Sequence, residues 1–172
     1  MTSIIIVAYV VMTFKTIALS AAKDRSLAEA RIQAGIVKAE VEISLDIARA
    51  RAQELSAVKL TENPLCINRD QVNAMIRQVL VKNPQFIGVW TLWEPDAFDG
   101  KDFLYANTMA YGKTGRFFPY WNRGTGTITV EPIVDFETGD WYQVPKKTKQ
   151  EYITDLYLYP VMGQETWMIS VV

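Results

Sequence analysis

Four carboxylates in the second half of the sequence, Glu94, Asp135, Glu137 and Asp140, are numerous enough to supply a general acid–base pair. All four sit in or beside turn-forming stretches, where acidic residues serve solubility and turn geometry. No nucleophile stands near a basic partner, and no glycine-rich phosphate loop accompanies them. The chain has no histidine, which removes histidine-based triads and phosphoacceptor histidines from this segment. Its single cysteine, Cys66, can make no intrachain disulfide, and no Cys/His cluster exists to hold zinc. DAFDGKD (96–102) places three aspartates around a glycine, but at a spacing of three, and without the glutamate that closes an EF-hand loop. A polar turn is expected there, with no metal and no cofactor. Catalysis is not expected in this segment.

The aromatic residues carry more information. GRFFPYWNRG (115–124) gathers Phe117, Phe118, Tyr120 and Trp121 between Arg116 and Arg123. The period of two puts Phe118 and Tyr120 on one strand face and Phe117 and Trp121 off it. In YLY (157–159), Tyr157 and Tyr159 likewise share a face. A core alone is better filled by Val, Ile and Leu; Tyr and Trp carry polar tips that need partners. Rings of this kind near Arg116, Arg123, Lys146 and Lys147 suit a pocket for a small polar ligand, with a core plus a dimer surface as the alternative.

The elements that must position these residues fall into two parts. Of the chain's 20 aromatics, 18 lie beyond residue 85, so the two halves have different jobs. From Ser20 to about Leu60 the composition is rich in Ala, Glu, Arg, Lys and Leu without proline, which predicts one long helix. One apolar row runs Ile32, Ile36, Ala39, Ile43, Ala50, and a second runs Val37, Val41, Leu45, Ala48, Ala52, Leu55. Forty helical residues extend about 60 Å, too far to pack on one small core. A stalk is therefore expected, burying one row on its own domain and offering the other to a second copy, although a helix within a bundle is the simpler alternative.

TENPLC breaks the helix at Pro64, and Asn68 with Gln71 forms a capping box for a second helix that ends at Asn83-Pro84. FIGVWTLWE (86–94), DFLYANTMAY, RFFPYW, TITVEPIV, EYITDLYLY and ETWMISVV then read as strands between turn signals, with a helical turn at WYQVPKKT. Helices first and an antiparallel sheet afterwards make an α+β fold.

The N-terminal SIIIVAYVVMTF (3–14) is apolar but shorter than the roughly 20 residues of a membrane span. A signal peptide and a buried helix are both conceivable. The favoured expectation is the end of a transmembrane helix over residues 1–19, with Lys15 at the interface, followed by the stalk at 20–60 and the sheet module at 61–172. The net charge of −1 gives no electrostatic footprint for nucleic acid.

WTLWEPDAFDGKD, GRFFPYWNRGTG, VEPIVDFETGDWYQVPKK and DLYLYPVMGQETWMIS resemble the membrane-distal half of a double Cache sensor domain. Such domains are the extracytoplasmic ligand-binding parts of bacterial methyl-accepting chemotaxis receptors and some sensor kinases. The resemblance implies a long stalk helix, a PAS-like antiparallel sheet and ligand held on the distal module. It also implies an inner-membrane protein with this part facing the periplasm or exterior, dimeric through the stalk and continued by a membrane-proximal module. The input domain of a histidine kinase or diguanylate cyclase is the alternative.

Amino-acid-binding members show Tyr, four residues, Arg, one residue, Trp-Tyr, and later Tyr-x-Asp. Here Trp141-Tyr142 and Tyr157 match, whereas Val134, Gly139 and Tyr159 stand at the first Tyr, the Arg and the Asp. A ligand class other than amino acids is implied. The expected ligand-binding residues are Trp93, Arg116, Phe118, Tyr120, Trp121, Asp135, Trp141, Tyr142, Tyr157 and Tyr159.

Overall fold

A computed structural model describes residues 2–172, with side chains described from Tyr9 onward. The chain divides into two units, Met1–Asp46 and Ile47–Val172. The first is helical. Helix α1 (Thr2–Ser56) begins in it, and the side chains from Tyr9 to Glu40 are all exposed. Ile32, Ile36 and Ile43, the first apolar row, are 48 to 57 % exposed, so this row has no core of its own. Among the described residues no helix is long and apolar enough to cross a membrane.

In the second unit, α1 ends at Ser56 and a 3-10 turn (Ala57–Lys59) follows it, several residues before Pro64. Leu55, the last residue of the second apolar row, is buried there. Helix α2 (Arg69–Lys82) starts on the expected capping box: the Asn68 side chain accepts from the Gln71 amide, and the Gln71 side chain accepts from the Asn68 amide. Strands β1 (Gly88–Trp90), β2 (Pro119–Asn122) and β3 (Thr129–Pro132) form an antiparallel sheet in that order. Helix α3 (Asp102–Tyr105) intervenes between β1 and β2, and α4 (Asp140–Thr148) follows β3. An antiparallel hairpin of β4 (Tyr157–Val161) and β5 (Gln164–Met168) completes the α+β fold.

The expected strand DFLYANTMAY is a helical turn and a tight loop instead. Asp102 is tied back to Asp96 from both sides: its amide donates to the Asp96 carboxylate, and its own carboxylate accepts from the Asp96 amide. Asn107 and Gly112 have positive φ, and their backbones bond across the loop, which leaves no extended segment. The other strands are shorter than their apolar runs.

Two aromatic-rich clusters lie on opposite faces of β2, as the alternation in RFFPYW requires. Phe117, with Trp121 packed beside it, joins Leu55, Val72, Ile76, Phe98 and Tyr111 under α2. Phe118 and Tyr120 join Ile133, Trp141, Tyr159 and Val161 on the other face.

What holds the first cluster to β2 is a buried cation. The Arg69 side chain is fully buried, with Asp99 at 2.7 Å and Asp102 at 2.5 Å. It donates to the Gly115 carbonyl at 2.6 Å, and its guanidinium lies 4.1 Å from the Tyr105 ring centre. Burial works against its charge, but its bonds to Asp99 and Asp102 more than offset that and raise its pKa. The aspartates of DAFDGKD are thus committed to Arg69 and to one another. Gly115 has φ +70°, and a Cβ there would lie 1.9 Å from the Asp102 carbonyl oxygen, so only glycine lets RFFPYW start this close to α3. Replacing Arg69 with Met leaves two carboxylates beside an apolar group. Breaking a buried pair of this kind costs about 3 kcal/mol or more. Urea unfolding of Arg69→Met should show a loss of that size, partly recovered in Arg69→Met/Asp102→Asn; an unchanged midpoint would refute the role.

Candidate functional site

The second face of the sheet is a continuous array of rings. Tyr120 meets Tyr159 edge-on at 5.8 Å, Trp141 meets Tyr159 at 6.0 Å and Trp90 at 5.1 Å, and Tyr157 lies 6.4 Å from Tyr159. Each element contributes for a local reason. Pro119 opens β2, and alternation sends Phe118 and Tyr120 to this side. Gly88, diagonal to Tyr120 across the sheet, leaves room for its ring: a Cβ at Gly88 would lie 2.3 Å from Tyr120 Cε2. Hairpin β4–β5 turns Tyr157, Tyr159 and Val161 inward and leaves Leu158 outward.

Helix α4 supplies two consecutive rings that do different things. Trp141 is buried and folds back over its own helix N-terminus, where a Cβ on Gly139 would lie 2.4 Å from the indole Nε1. Tyr142 turns toward a polar cluster: its hydroxyl donates to Glu94 Oε1 at 2.5 Å and accepts from Arg116 Nη2 at 3.0 Å. Lys146, one helical turn on, reaches the same Glu94 oxygen at 2.7 Å. Arg116 contacts Glu94 Oε2 at 3.3 Å, donates through Nε to the Trp93 carbonyl, and rests 4.9 Å from the Phe136 ring centre. Lys146 and then Tyr142 hold the Glu94 carboxyl below its ordinary pKa, against the effect of burial.

The polar tips of the array differ in how they are satisfied. Tyr157 shares a 2.6 Å hydrogen bond with Ser170. The Tyr159 hydroxyl accepts from the Val134 amide at 3.0 Å and donates to its carbonyl at 3.3 Å. Burial pushes the Tyr159 pKa up to about 12 and that of Tyr120 higher still. The Tyr120 hydroxyl is buried and has no hydrogen-bond partner among the described residues. Two other buried atoms share that state, Trp93 Nε1 and Arg123 Nε, and neither residue belongs to this array.

The structure therefore brings together Phe118, Tyr120, Trp141, Tyr142, Tyr157 and Tyr159, with Arg116 at the margin through Tyr142. Trp93 and Trp121 lie elsewhere. Trp93 meets Phe98 edge-on in the cluster under α2, and Trp121 donates to Asn73 on α2 at 2.8 Å. Asp135 is exposed in the turn before α4, at φ +57°. Trp90, Phe136 and Glu94 belong to this region and were not among the expected ligand residues. Only their neighbours in space mark them, because Glu94 is 22 and 48 residues from Arg116 and Tyr142.

The three positions that depart from the amino-acid-binding pattern have a common structural meaning. Val134 and Tyr159 bond to each other, and the space above Gly139 is filled by Trp141. An arginine at 139 would have to displace a packed indole. Among the described residues no group of three or more potential ligands could hold a metal ion.

Residues 72–172 match the family described as the methyl-accepting chemotaxis protein-like, first PDC sensor domain. Methyl-accepting chemotaxis protein TlpQ of Pseudomonas aeruginosa is 30 % identical over 118 residues, 60 % of this chain but only 16 % of that protein's length. Among solved structures, the extracellular domain of mmHK1S-Z3, named as a histidine kinase, superposes with a TM-score of 0.63 at 32 % identity. The overlap covers 77 % of this chain and 51 % of that one. Methyl-accepting chemotaxis protein X shares the fold, with a TM-score of 0.72 at 24 % identity, over 86 % of this chain and 54 % of that one. The ring array and its polar margin are thus carried on a chain that belongs to the methyl-accepting chemotaxis protein-like PDC sensor-domain family.

Proposed function

We propose that this chain is the sensing part of a membrane chemoreceptor and that a small molecule binds on the ring face of β2, β4 and α4. The observation that carries this reading is the Tyr120 hydroxyl, a buried hydrogen-bonding group with no partner among the described residues, set among Trp141, Tyr157 and Tyr159. Leaving such a group unsatisfied costs roughly 1–3 kcal/mol, a cost that a core without a function would shed by using phenylalanine. The segment carries no catalysis in this reading, uses no cofactor and binds no nucleic acid.

Family membership and the word "extracellular" in the names of the solved kinase domains support an outward-facing position, periplasmic in a bacterium with two membranes. In this reading residues 1–19 lead from the inner membrane, 20–60 form the stalk, and 61–172 form the distal module. Two copies would pair through the exposed row Ile32, Ile36 and Ile43. Ligand would act by binding two stalk packings with different affinity, which is the only way binding can shift that equilibrium. The similarity to histidine kinase ectodomains supports a second reading in which the same sensor drives a kinase. Ligand-dependent autophosphorylation in membranes would select the kinase.

Trp141→Ala is a poor test of the site because it also empties a core position, at about 3–5 kcal/mol. Tyr120→Phe keeps the ring and removes only the unpartnered hydroxyl. The variant should gain about 1 kcal/mol in stability and lose the response to whatever attractant or repellent the parent receptor detects. A destabilised variant, or one with full response, would contradict the assignment. For the stalk, single cysteines at 32, 36 and 43 should form disulfide-linked dimers, and cysteines half a turn away should not. Crosslinking without periodicity would rule out a parallel stalk pair.

A further inference from the structure

Glu94 sits where three donors converge. Its Oε1 accepts from Lys146 Nζ at 2.7 Å and from the Tyr142 hydroxyl at 2.5 Å, and its Oε2 accepts from Arg116 Nη2 at 3.3 Å. A guanidinium, an ammonium and a phenol around one carboxylate make the donor set that a receptor would use to bind a free carboxylic acid. Two of the three are held independently of Glu94. Arg116 is fixed by the Trp93 carbonyl and by Phe136, and Tyr142 packs edge-on against Phe136 at 5.9 Å. The Glu94 side chain itself is 49 % exposed, so its place is open to solvent.

We propose that Glu94 is a carboxylate supplied by the chain itself to a carboxylate-binding site made of Arg116, Tyr142 and Lys146, and that it restricts the ligand to molecules carrying no carboxylate there. The inference deepens the ligand-face reading and rests on it for its meaning in sensing. The two cations nearest the ring face through Tyr142 already share one carboxylate supplied from within. A ligand carboxylate seeking these donors would have to displace Glu94, whose two oxygens already hold all three. A place already filled by the chain's own carboxylate gives specificity by competition, which contact with the preferred ligand alone does not provide. The Trp141 indole above Gly139 and the Val134–Tyr159 bonds close the other positions at which amino-acid-binding relatives hold charged groups.

Removing the resident carboxylate should expose the site to an external one. In the full chain, Glu94→Ala should gain thermal stability as sodium acetate replaces sodium chloride at constant ionic strength and neutral pH. The acetate needed should be about tenfold or more below that for any effect on the parent, since charge-assisted bonds are regained. Acetamide should have no effect. Glu94→Gln, whose amide still fills the place, should not respond to acetate either. If Glu94→Ala does not fold alone, refolding yield reads the same competition: recovery in acetate and not in chloride supports the proposal. Equal acetate responses in parent and Glu94→Ala, or no response and no recovery, would overturn it. The assay needs no natural ligand. A silent acetate titration beside a Tyr120→Phe receptor that has lost its response would remove this proposal and leave the ligand face standing, and the opposite pair of results would do the reverse.

Discussion

The buried Arg69 cation is the constraint on which the sensor module depends. It reaches from the first turn of α2 to Asp99 ahead of α3, to Asp102 at the start of α3 and to the carbonyl of Gly115 before β2. One side chain thereby fixes the helix, the loop and the residue from which RFFPYW departs. Because Gly115 approaches the Asp102 backbone too closely for any Cβ, that departure point has little freedom. Strand β2 then divides its rings between the two faces by simple alternation. The position of Tyr120 in the ring array is therefore set some five residues upstream, by an ion cluster on the opposite side of the sheet. Isolated buried ion pairs are weak contributors to stability, but they are strict about geometry, and here geometry is what the site needs.

The ring face and its margin divide the work. Tyr157, Tyr159 and Trp141 hold their places through internal bonds and edge contacts, while Tyr120 keeps a hydroxyl without a partner among the described residues. At the margin, charges that could orient a ligand are instead paired within the protein through Glu94. Together these features describe a face rich in rings, with its marginal cations engaged by Glu94 and with one buried phenol that has no partner among the described residues. In the proposed reading such a face favours planar, uncharged or carboxylate-free molecules over amino acids.

Much of this was legible in the sequence, and the reasons are local. The Asn68–Gln71 capping box, the proline-free run of α1 and the alternation of Phe117, Phe118, Tyr120 and Trp121 are short-range patterns, and each appears as read. The segment after Asp102 reads as a strand because its aromatic and apolar run lies between turn signals, whereas the bonds that curl it into α3 involve Asp96 and Arg69. Nothing local in the sequence sets Arg69 apart from any other residue of a helix first turn. The signal that could have found it was the crowding of three aspartates in DAFDGKD, which need a counter-charge if they are not a metal loop. Glu94 stands out in the sequence only as one of four carboxylates beside turns, where acidic residues are common, and only the fold brings Arg116, Tyr142 and Lys146 to it. Leu158 and Tyr159 show the remaining limit, since alternation separates their faces without saying which face meets a ligand.

The central claim is that this sensor reads a small molecule on a ring face that does not accept carboxylates. A thermal-shift screen of the chain against small molecules presented as matched carboxylate and carboxamide pairs, common L-amino acids included, tests it most directly. A ligand at a hundred times its dissociation constant raises stability by about 2.7 kcal/mol, well within reach of the method. The account predicts that the compounds which stabilise the chain do so without a carboxylate, and that their acids are silent. Strong stabilisation by common L-amino acids, matched by no carboxamide, would contradict it.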